Sequence, residues 1–397
     1  MVNFETDVKN YLGVATSIAL SRVSISIFYI SILWMTFILT HSTILTGFAD
    51  GLVTIPLILS FVVGNIVDKS VNKKRVAIVA SIVRGLFVVP LAVSYYTSNK
   101  EFIVISIMVL SFSVGLTSDF VNSVRAIWIK RFLKDKNKVK RYRAYSNIFY
   151  NIAEGTGYVL SGILIVDGVS LTLLTLIFAF ELTTIPIIFI KTKDESNKFS
   201  EVYTAKQDMS SVFRKVKKTP IVIALFAEGF LLNFVYGTFG VISTFMVIKF
   251  FDLSALYLSL IFIVITIGIS FGSFLERGEG TARFERAGIS IFVIALMFLA
   301  IRFLQNFFLI LLPIFIIGTS IGVGEIVIFS SIQNNVEEEI TGTVQGAFNS
   351  LSTGVTFISG PIIGGVISLV GYLNSYFILF ISTAILSSFL LLFTRVV

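Results

Sequence analysis

A chain of 397 residues with no cysteine and a single histidine, His41, cannot assemble a Cys/His metal cluster or a serine–histidine triad. No Walker-type phosphate loop occurs either, so ATP is not expected as the energy source. Charge is scarce: 14% of residues are Asp, Glu, Lys or Arg, 55% are hydrophobic, and the mean hydropathy is +0.93. That make-up lies outside the range of soluble domains. Proline is limited to 6 residues while phenylalanine reaches 40, which suits many long helices rather than a turn-rich β protein. The apolar runs are long and continuous, not the short alternating segments of a transmembrane β-barrel.

Crossing the hydrocarbon core takes about 20 mostly apolar residues. Residues 253–275 (LSALYLSLIFIVITIGISFGSFL) and 371–393 (GYLNSYFILFISTAILSSFLLLF) meet this without a charge. Admitting one or two charged intruders gives twelve spans, at 12–38, 44–63, 76–96, 102–125, 144–166, 169–190, 220–247, 253–275, 287–303, 307–331, 344–369 and 372–394. The expected fold class is all-α, a polytopic membrane protein with twelve transmembrane helices. No small-residue cleavage site follows MVNFETDVKN, so no removable signal peptide is expected and the first span is expected to insert the chain. Of the 31 Lys and Arg, 25 fall on one side of the spans, three (Lys100, Lys249, Arg302) on the other, and three (Arg22, Arg84, Arg125) within spans. The positive-inside bias then makes both termini cytoplasmic, in a multi-pass protein of the plasma membrane. The net charge of +8 belongs to that inner face, which attracts anionic lipid head groups without any need for nucleic acid as a partner.

The longest polar stretch, KTKDESNKFSEVYTAKQDMSSVFRKVKK at 191–218, divides the chain. It sets an N-terminal six-helix bundle (1–190) apart from a C-terminal one (220–397) through a cytoplasmic linker at 191–219, part of which can lie on the membrane as an amphipathic helix. The halves repeat. GNIVDKSVNKKR at 64 matches GSFLERGEGTAR at 272, aligning Gly64 with Gly272, Asp68 with Glu276, Lys69 with Arg277 and Arg75 with Arg283 at an offset of 208. AYSN and GYVLSG (144–162) match AFNS and GPIIGG (347–365) at an offset of 203. Both halves point the same way, as a parallel repeat.

GNIVDKSVNKK resembles the loop signature between the second and third spans of the major facilitator superfamily of secondary transporters: a glycine, three residues, Asp68, a cation, then a basic pair. Val71 stands where that family has a second glycine. GPIIGG, with Gly360, Pro361, Gly364 and Gly365, is similar to the family's glycine–proline motif. That motif is associated with the fifth span of antiporters, where this chain has Gly157 and Gly162 but Tyr158 in place of the proline. The resemblance extends over nearly the whole chain, and GLVTIPLILSFVVGNIVDK with VRAIWIKRFL is most like the bacterial drug and siderophore exporters. It implies alternating access, a central cavity lined by spans one, four, seven and ten, and no enzymatic activity. An ion gradient, H+ above others, takes the place of any cofactor. The expected partners are a small-molecule substrate and membrane lipids, and the chain is expected to act as a monomer.

The loop charges then have a physical role. A charge at a helix end can pair or cap while a gate is closed and must separate when the halves rock. Asp68 is the expected pivot of a gate motif comprising Gly64, Asp68, Lys69, Lys73, Lys74, Arg75 and Arg125, with Arg125 or the N-terminus of the eleventh span as its partner; Gly272, Glu276, Arg277 and Arg283 form its second-half counterpart. Topology alone explains the four loop cations equally well, but not an acid in their midst.

Among the charges that fall within spans, each costly unless it faces a cavity or a partner, eight stand out: Arg22, Arg84, Asp119, Arg125, Glu154, Glu181, Glu228 and Glu325. Asp119 and Glu325 lie 206 residues apart, close to the repeat offset, and are the first candidates for proton coupling, followed by Glu228 and Arg22. A partly desolvated carboxylate can take up and release a proton as a neighbouring cation moves. The alternative is static pairing of Asp119 and Glu325 with Arg22 or Arg84. Glu154 and Glu181 read as structural, the glycines of GTSIGVG (318–324) as close helix contacts, and Trp34 and Trp128 as interfacial aromatics. The expected function is proton-coupled efflux of a lipophilic or amphiphilic small organic solute. A proton- or sodium-coupled importer or a uniporter is the alternative, and a membrane-embedded enzyme or a channel is more remote.

Overall fold

The computed structural model describes residues 4–58, 60–97, 99–132, 136–191, 220–276, 285–336 and 338–396; Arg277, Arg283 and the linker from 192 to 219 lie outside the described residues. Helices occupy nearly all of what is described, because a backbone in hydrocarbon must satisfy its own N–H and C=O groups. In the first half they are α1 (Phe4–Thr40), α2 (Thr43–Leu52), α3 (Ile55–Ile58), α4 (Ser60–Lys69), α5 (Lys73–Leu86), α6 (Val88–Thr97), α7 (Lys100–Phe132), α8 (Lys136–Asp167), α9 (Val169–Leu182) and α10 (Thr184–Phe189). In the second half α11 (Pro220–Phe245) continues into a π-helical turn, Met246–Phe250, and is followed by α12 (Ala255–Leu275), α13 (Glu285–Phe303), α14 (Phe307–Asn335), α15 (Glu338–Val370) and α16 (Tyr372–Val396).

Among the described residues, 11 helical stretches are long and apolar enough to cross a membrane, matching eleven of the twelve expected spans. The other, at 44–63, is interrupted after Leu52; α3 and α4 are separated only by residue 59, which lies outside the described residues. Proline explains the interruption. Lacking an N–H, a proline cannot bond the carbonyl four residues before it, and its ring crowds that carbonyl. Leu52, Leu86 and Leu182 end α2, α5 and α9, and each precedes a proline (Pro56, Pro90, Pro186) by four positions. Gly115 of α7 accommodates the first of these breaks, since any Cβ there would collide with the Val53 carbonyl. Few prolines therefore did not mean unbroken spans.

Two turns depend on glycine: Gly168 (φ 137°) joins α8 to α9 and Gly371 (φ 80°) joins α15 to α16, both in the region L side chains avoid. His41 (φ 51°) and Asp252 (φ 50°) adopt the left-handed conformation in the corresponding connections of the two halves.

The chain forms two compact units. One comprises Met1–His41, Leu52–Ala205 and Ser254–Ser259; the other comprises Ser42–Gly51, Lys206–Leu253 and Leu260–Val397. In the first, α1 packs along α7 and α8, and α5 along α7 and α9; in the second, α11 packs along α15, and α13 along α14 and α16. Each unit contains a short piece from the other half of the sequence, and the pieces correspond under the repeat: Ser42–Gly51 shifted by 208 falls on 250–259. Small residues make both attachments. Within the second unit Gly47 lies on the backbone of Gly360, and the Thr43 hydroxyl donates to Gly364 O at 2.6 Å. Gly51 faces the Phe357 carbonyl, the one that Pro361 cannot bond. Within the first, Gly162 meets Leu256 and Ser259, while Gly157 sits against Val23 and Ser26 of α1.

The expected close contacts of the 318–324 glycines are present: Gly318 and Gly322 face the carbonyls of Ile265 and Ile269. Gly272 faces Thr319 O, whereas its repeat partner Gly64, like Gly365, has open space where a Cβ would stand. Trp128 corrects an expectation. At 2% exposure it belongs to the core of the first unit, with Tyr11, Val124 and Ile187, and not to an interfacial belt.

Candidate functional site

In the first unit each span guanidinium has hydrogen-bond partners within the unit. Arg22 of α1 donates to Glu154 Oε2 of α8 at 2.7 Å, and the Tyr158 hydroxyl donates to Glu154 Oε1 at 3.1 Å. Arg22 is thus held by Glu154, and not by Asp119 or Glu325. Arg84, fully buried, donates to the hydroxyls of Ser21 (3.2 Å), Ser118 (3.3 Å) and Thr183 (2.8 Å), and its guanidinium stands 4.8 Å from the Phe180 ring centroid. Glu181 is close enough to act on it electrostatically. Arg125 donates to Ser17 O (2.8 Å), Ser17 Oγ (2.6 Å) and Asn122 Oδ1 (3.2 Å), so its guanidinium is engaged with α1 and α7 rather than with Asp68. Asp119 is buried on α7 with the Ser60 hydroxyl as a hydrogen-bond partner; among the described residues its Oδ2 has none.

In the loop after α4, Asp68 and Lys69 are exposed. Asn72 caps α5 by accepting from Arg75 N at 2.8 Å. Lys73 reaches the carbonyls of Ser70 (3.2 Å) and Asp68 (3.5 Å). Lys74 donates to the carbonyls of Ile188 (2.6 Å) and Ile190 (2.9 Å), placing a cation where the sixth span leaves carbonyls unpaired. Charge counting alone could not foresee that contact. In the second half, Glu276 accepts from Arg286 at 3.0 and 3.1 Å.

The second unit is arranged differently. Besides Asp50, buried on α2, it holds the span carboxylates Glu228 and Glu325, which have no cation on their own helices: α11, α14 and α15 contain no Lys, Arg or His. Glu228 is fully buried beside Gly288 and Leu391, and neither carboxylate oxygen has a hydrogen-bond partner among the described residues. Glu325 is exposed and lines a cavity of about 200 Å³ between α11, α14 and α15. The other walls are Gly229, Leu232, Asn233, Ile328, Phe329, Phe348, Asn349, Ser352 and Thr353. A search for span charges finds Glu325 and misses these neighbours. The amides of Asn233 and Asn349, polar intruders in apolar runs, were the available signal.

Among the described residues 11 helices of membrane-spanning length, a repeat read in the sequence and a cavity between α11, α14 and α15 narrow the possible families. The sequence matches the profile described as Major Facilitator Superfamily over residues 14–358. The chain belongs to the major facilitator superfamily. It is a multi-pass membrane protein with the fold of a secondary transporter. The crystal structure of a mutant of the nucleoside transporter NupG superposes with a TM-score of 0.78 at 14% identity, covering 97% of this chain and 99% of that one. A bacterial homolog of the human lysosomal transporter Spinster, inward-facing and unoccupied, gives a TM-score of 0.74 at 10% identity over 98% and 97% of the two chains. A structure from work on proton dependent oligopeptide transporters gives 0.73 at 11% identity over 98% and 99%. At these identities the likeness concerns the fold. No curated protein matches the sequence.

Proposed function

We propose that this superfamily member is a proton-coupled antiporter that exports a small amphiphilic organic solute across the plasma membrane, with Asp119 and Glu325 as the proton-exchanging groups. The observation that carries the reading is Glu325, a carboxylate opening on a cavity whose three helices contain no basic residue. A proton is the smallest cation that can neutralise it there. The test is flux in proteoliposomes of a compound first found by growth screening with and without the protein. One pH unit supplies about 1.4 kcal/mol per proton, or roughly tenfold accumulation for each proton exchanged. A wild type that ignores an imposed pH gradient removes the proton from the reading, and uptake into cells in place of extrusion removes export.

The proposed orientation has both termini in the cytoplasm. With no native cysteine, single cysteines placed at 72 and 280 are expected to react from the cytoplasmic side and one at 100 from outside. Labelling of 72 and 280 from opposite sides would break the parallel repeat. The gate role of Asp68 is read from turnover. Its carboxylate is exposed, so Asp68→Asn should leave the fold and solute affinity unchanged and slow transport at least severalfold. Equal loss of affinity and transport, or no loss of either, ends that role.

A further inference from the structure

We infer that the cavity beside Glu325 receives the positively charged end of a small aryl-ammonium solute, so that the transported species is an organic cation; this deepens, and rests on, the reading of the chain as a solute transporter.

Four features of the cavity agree. Its walls carry one carboxylate; α11, α14 and α15 contain no basic residue, and Arg286 of α13, the helix packed along α14, is paired with Glu276. An anionic solute would be repelled, and a neutral one would leave the carboxylate without a counter-charge among neutral polar and apolar walls. The Asn233 amide nitrogen already donates to Gly229 O at 2.8 Å, so its oxygen is the end left to offer, and an acceptor suits an ammonium donor. Phe348 lies edge-on to Phe329 (centroids 5.8 Å apart, 82°) and to Phe226 (5.3 Å, 78°), and Gly229 leaves the space that the Phe348 ring fills. Ring faces attract ammonium groups and stack on aryl groups. Finally, about 200 Å³ is less than a drug-sized site of ~300–1,000 Å³ and somewhat more than the roughly 150 Å³ that holds benzene. One ring with a short cationic arm fits that volume.

Glu228 cannot share this role, because it is sealed from the cavity side by complete burial. The span arginines of the first unit have partners of their own, Arg22 with Glu154 and Arg125 with Ser17, and Asp119 is buried. Glu325 is the acid with both access and room. A proton on it removes the attraction for the cation, so the two compete for one group.

The test is equilibrium binding of radiolabelled benzyltrimethylammonium, whose charge is fixed at all pH values, to the purified full chain in detergent without any gradient. Saturable binding is expected, displaced by acidification and by tetramethylammonium at higher concentration, but not by phenylacetate; neutral 2-phenylethanol should compete at least tenfold more weakly than the probe. Glu325→Gln should weaken binding at least tenfold. Asn349→Asp, at an exposed wall position that tolerates a polar exchange, should tighten it severalfold. The inference is overturned by absence of saturable binding, by phenylacetate displacing the probe, by Glu325→Gln binding like wild type, or by Asn349→Asp leaving affinity unchanged. Because binding is read without a gradient, a wild type that binds the cation yet ignores a pH gradient in proteoliposomes loses the proton-antiport reading and keeps this one.

Discussion

Asp119→Asn is expected to abolish pH-gradient-driven accumulation in proteoliposomes, taking the ratio from roughly tenfold per pH unit and proton to unity, while exchange of solute at equal pH continues. Asp119 is buried on α7 with the Ser60 hydroxyl on one side and no partner for Oδ2 among the described residues. A charged carboxylate so placed resists any rearrangement that carries it deeper into apolar surroundings, and a proton removes the resistance. Asparagine is close in size and permanently neutral, so the conformational change no longer waits for a proton. Transport then persists and coupling is lost. Glu325→Gln should behave differently, losing gradient-driven transport and exchange together, because the cavity loses the charge that holds the solute. Full gradient-driven accumulation by Asp119→Asn would remove that residue from the coupling.

Hydropathy and the spacing of basic loops were enough to read the helical class, the spans and the repeat, because those properties depend on composition averaged over some 20 residues. The breaks after Leu52, Leu86 and Leu182 depend instead on single prolines four residues on, and a scarcity of proline concealed how each one acts. The candidate charges were all visible, since an intramembrane charge stands out in any apolar run. Their partners were not. Which face of a helix meets which neighbour is set by packing, so the pairing of Arg22 with Glu154, 132 residues away, could not be told from one with Asp119. Trp128 shows the same limit: its position near a span end agrees with an interfacial aromatic, and only packing puts it in the core.

The two halves share an ancestral plan and spend their polar residues differently. In the first, seven span charges comprise three arginines and four acids, and each guanidinium has specific hydrogen-bond partners. In the second, the two acids of spans seven and ten have no basic residue on the helices that carry them. Guanidinium groups bonded within the unit give one that holds its shape, and an acid beside a cavity, with no basic residue on its own helix, gives one that can bind a cation from outside. Under the repeat, Asp119 and Glu325 are counterparts in sequence, yet one is buried against a hydroxyl and the other open to a cavity. On the proposed reading, proton release and solute binding reside in different halves.

Arg84→Ala is expected to cost the first unit about 3–5 kcal/mol of stability, the usual penalty for removing one partner from a buried charged network. Arg84 is fully buried and bonds hydroxyls from three other elements: Ser21 of α1, Ser118 of α7, and Thr183 at the α9–α10 break. That break exists because Pro186 cannot bond the Leu182 carbonyl, and Thr183 closes it by donating to Phe180 O at 2.7 Å while accepting from Arg84. Removing the guanidinium leaves the Glu181 carboxylate without its facing cation and empties the space over the Phe180 ring. Arg84→Lys should recover little, since one ammonium lacks the fork that reaches three hydroxyls in different directions. Arg84→Met combined with Glu181→Gln should recover most of the loss, because neutral side chains of similar volume fill the space without a stranded charge. Thermal unfolding in detergent, followed by the loss of the monodisperse size-exclusion peak, reads all three variants. If Arg84→Ala unfolds at the wild-type temperature, or if the double variant is no more stable than the single one, Arg84 is not the residue that holds these four elements together.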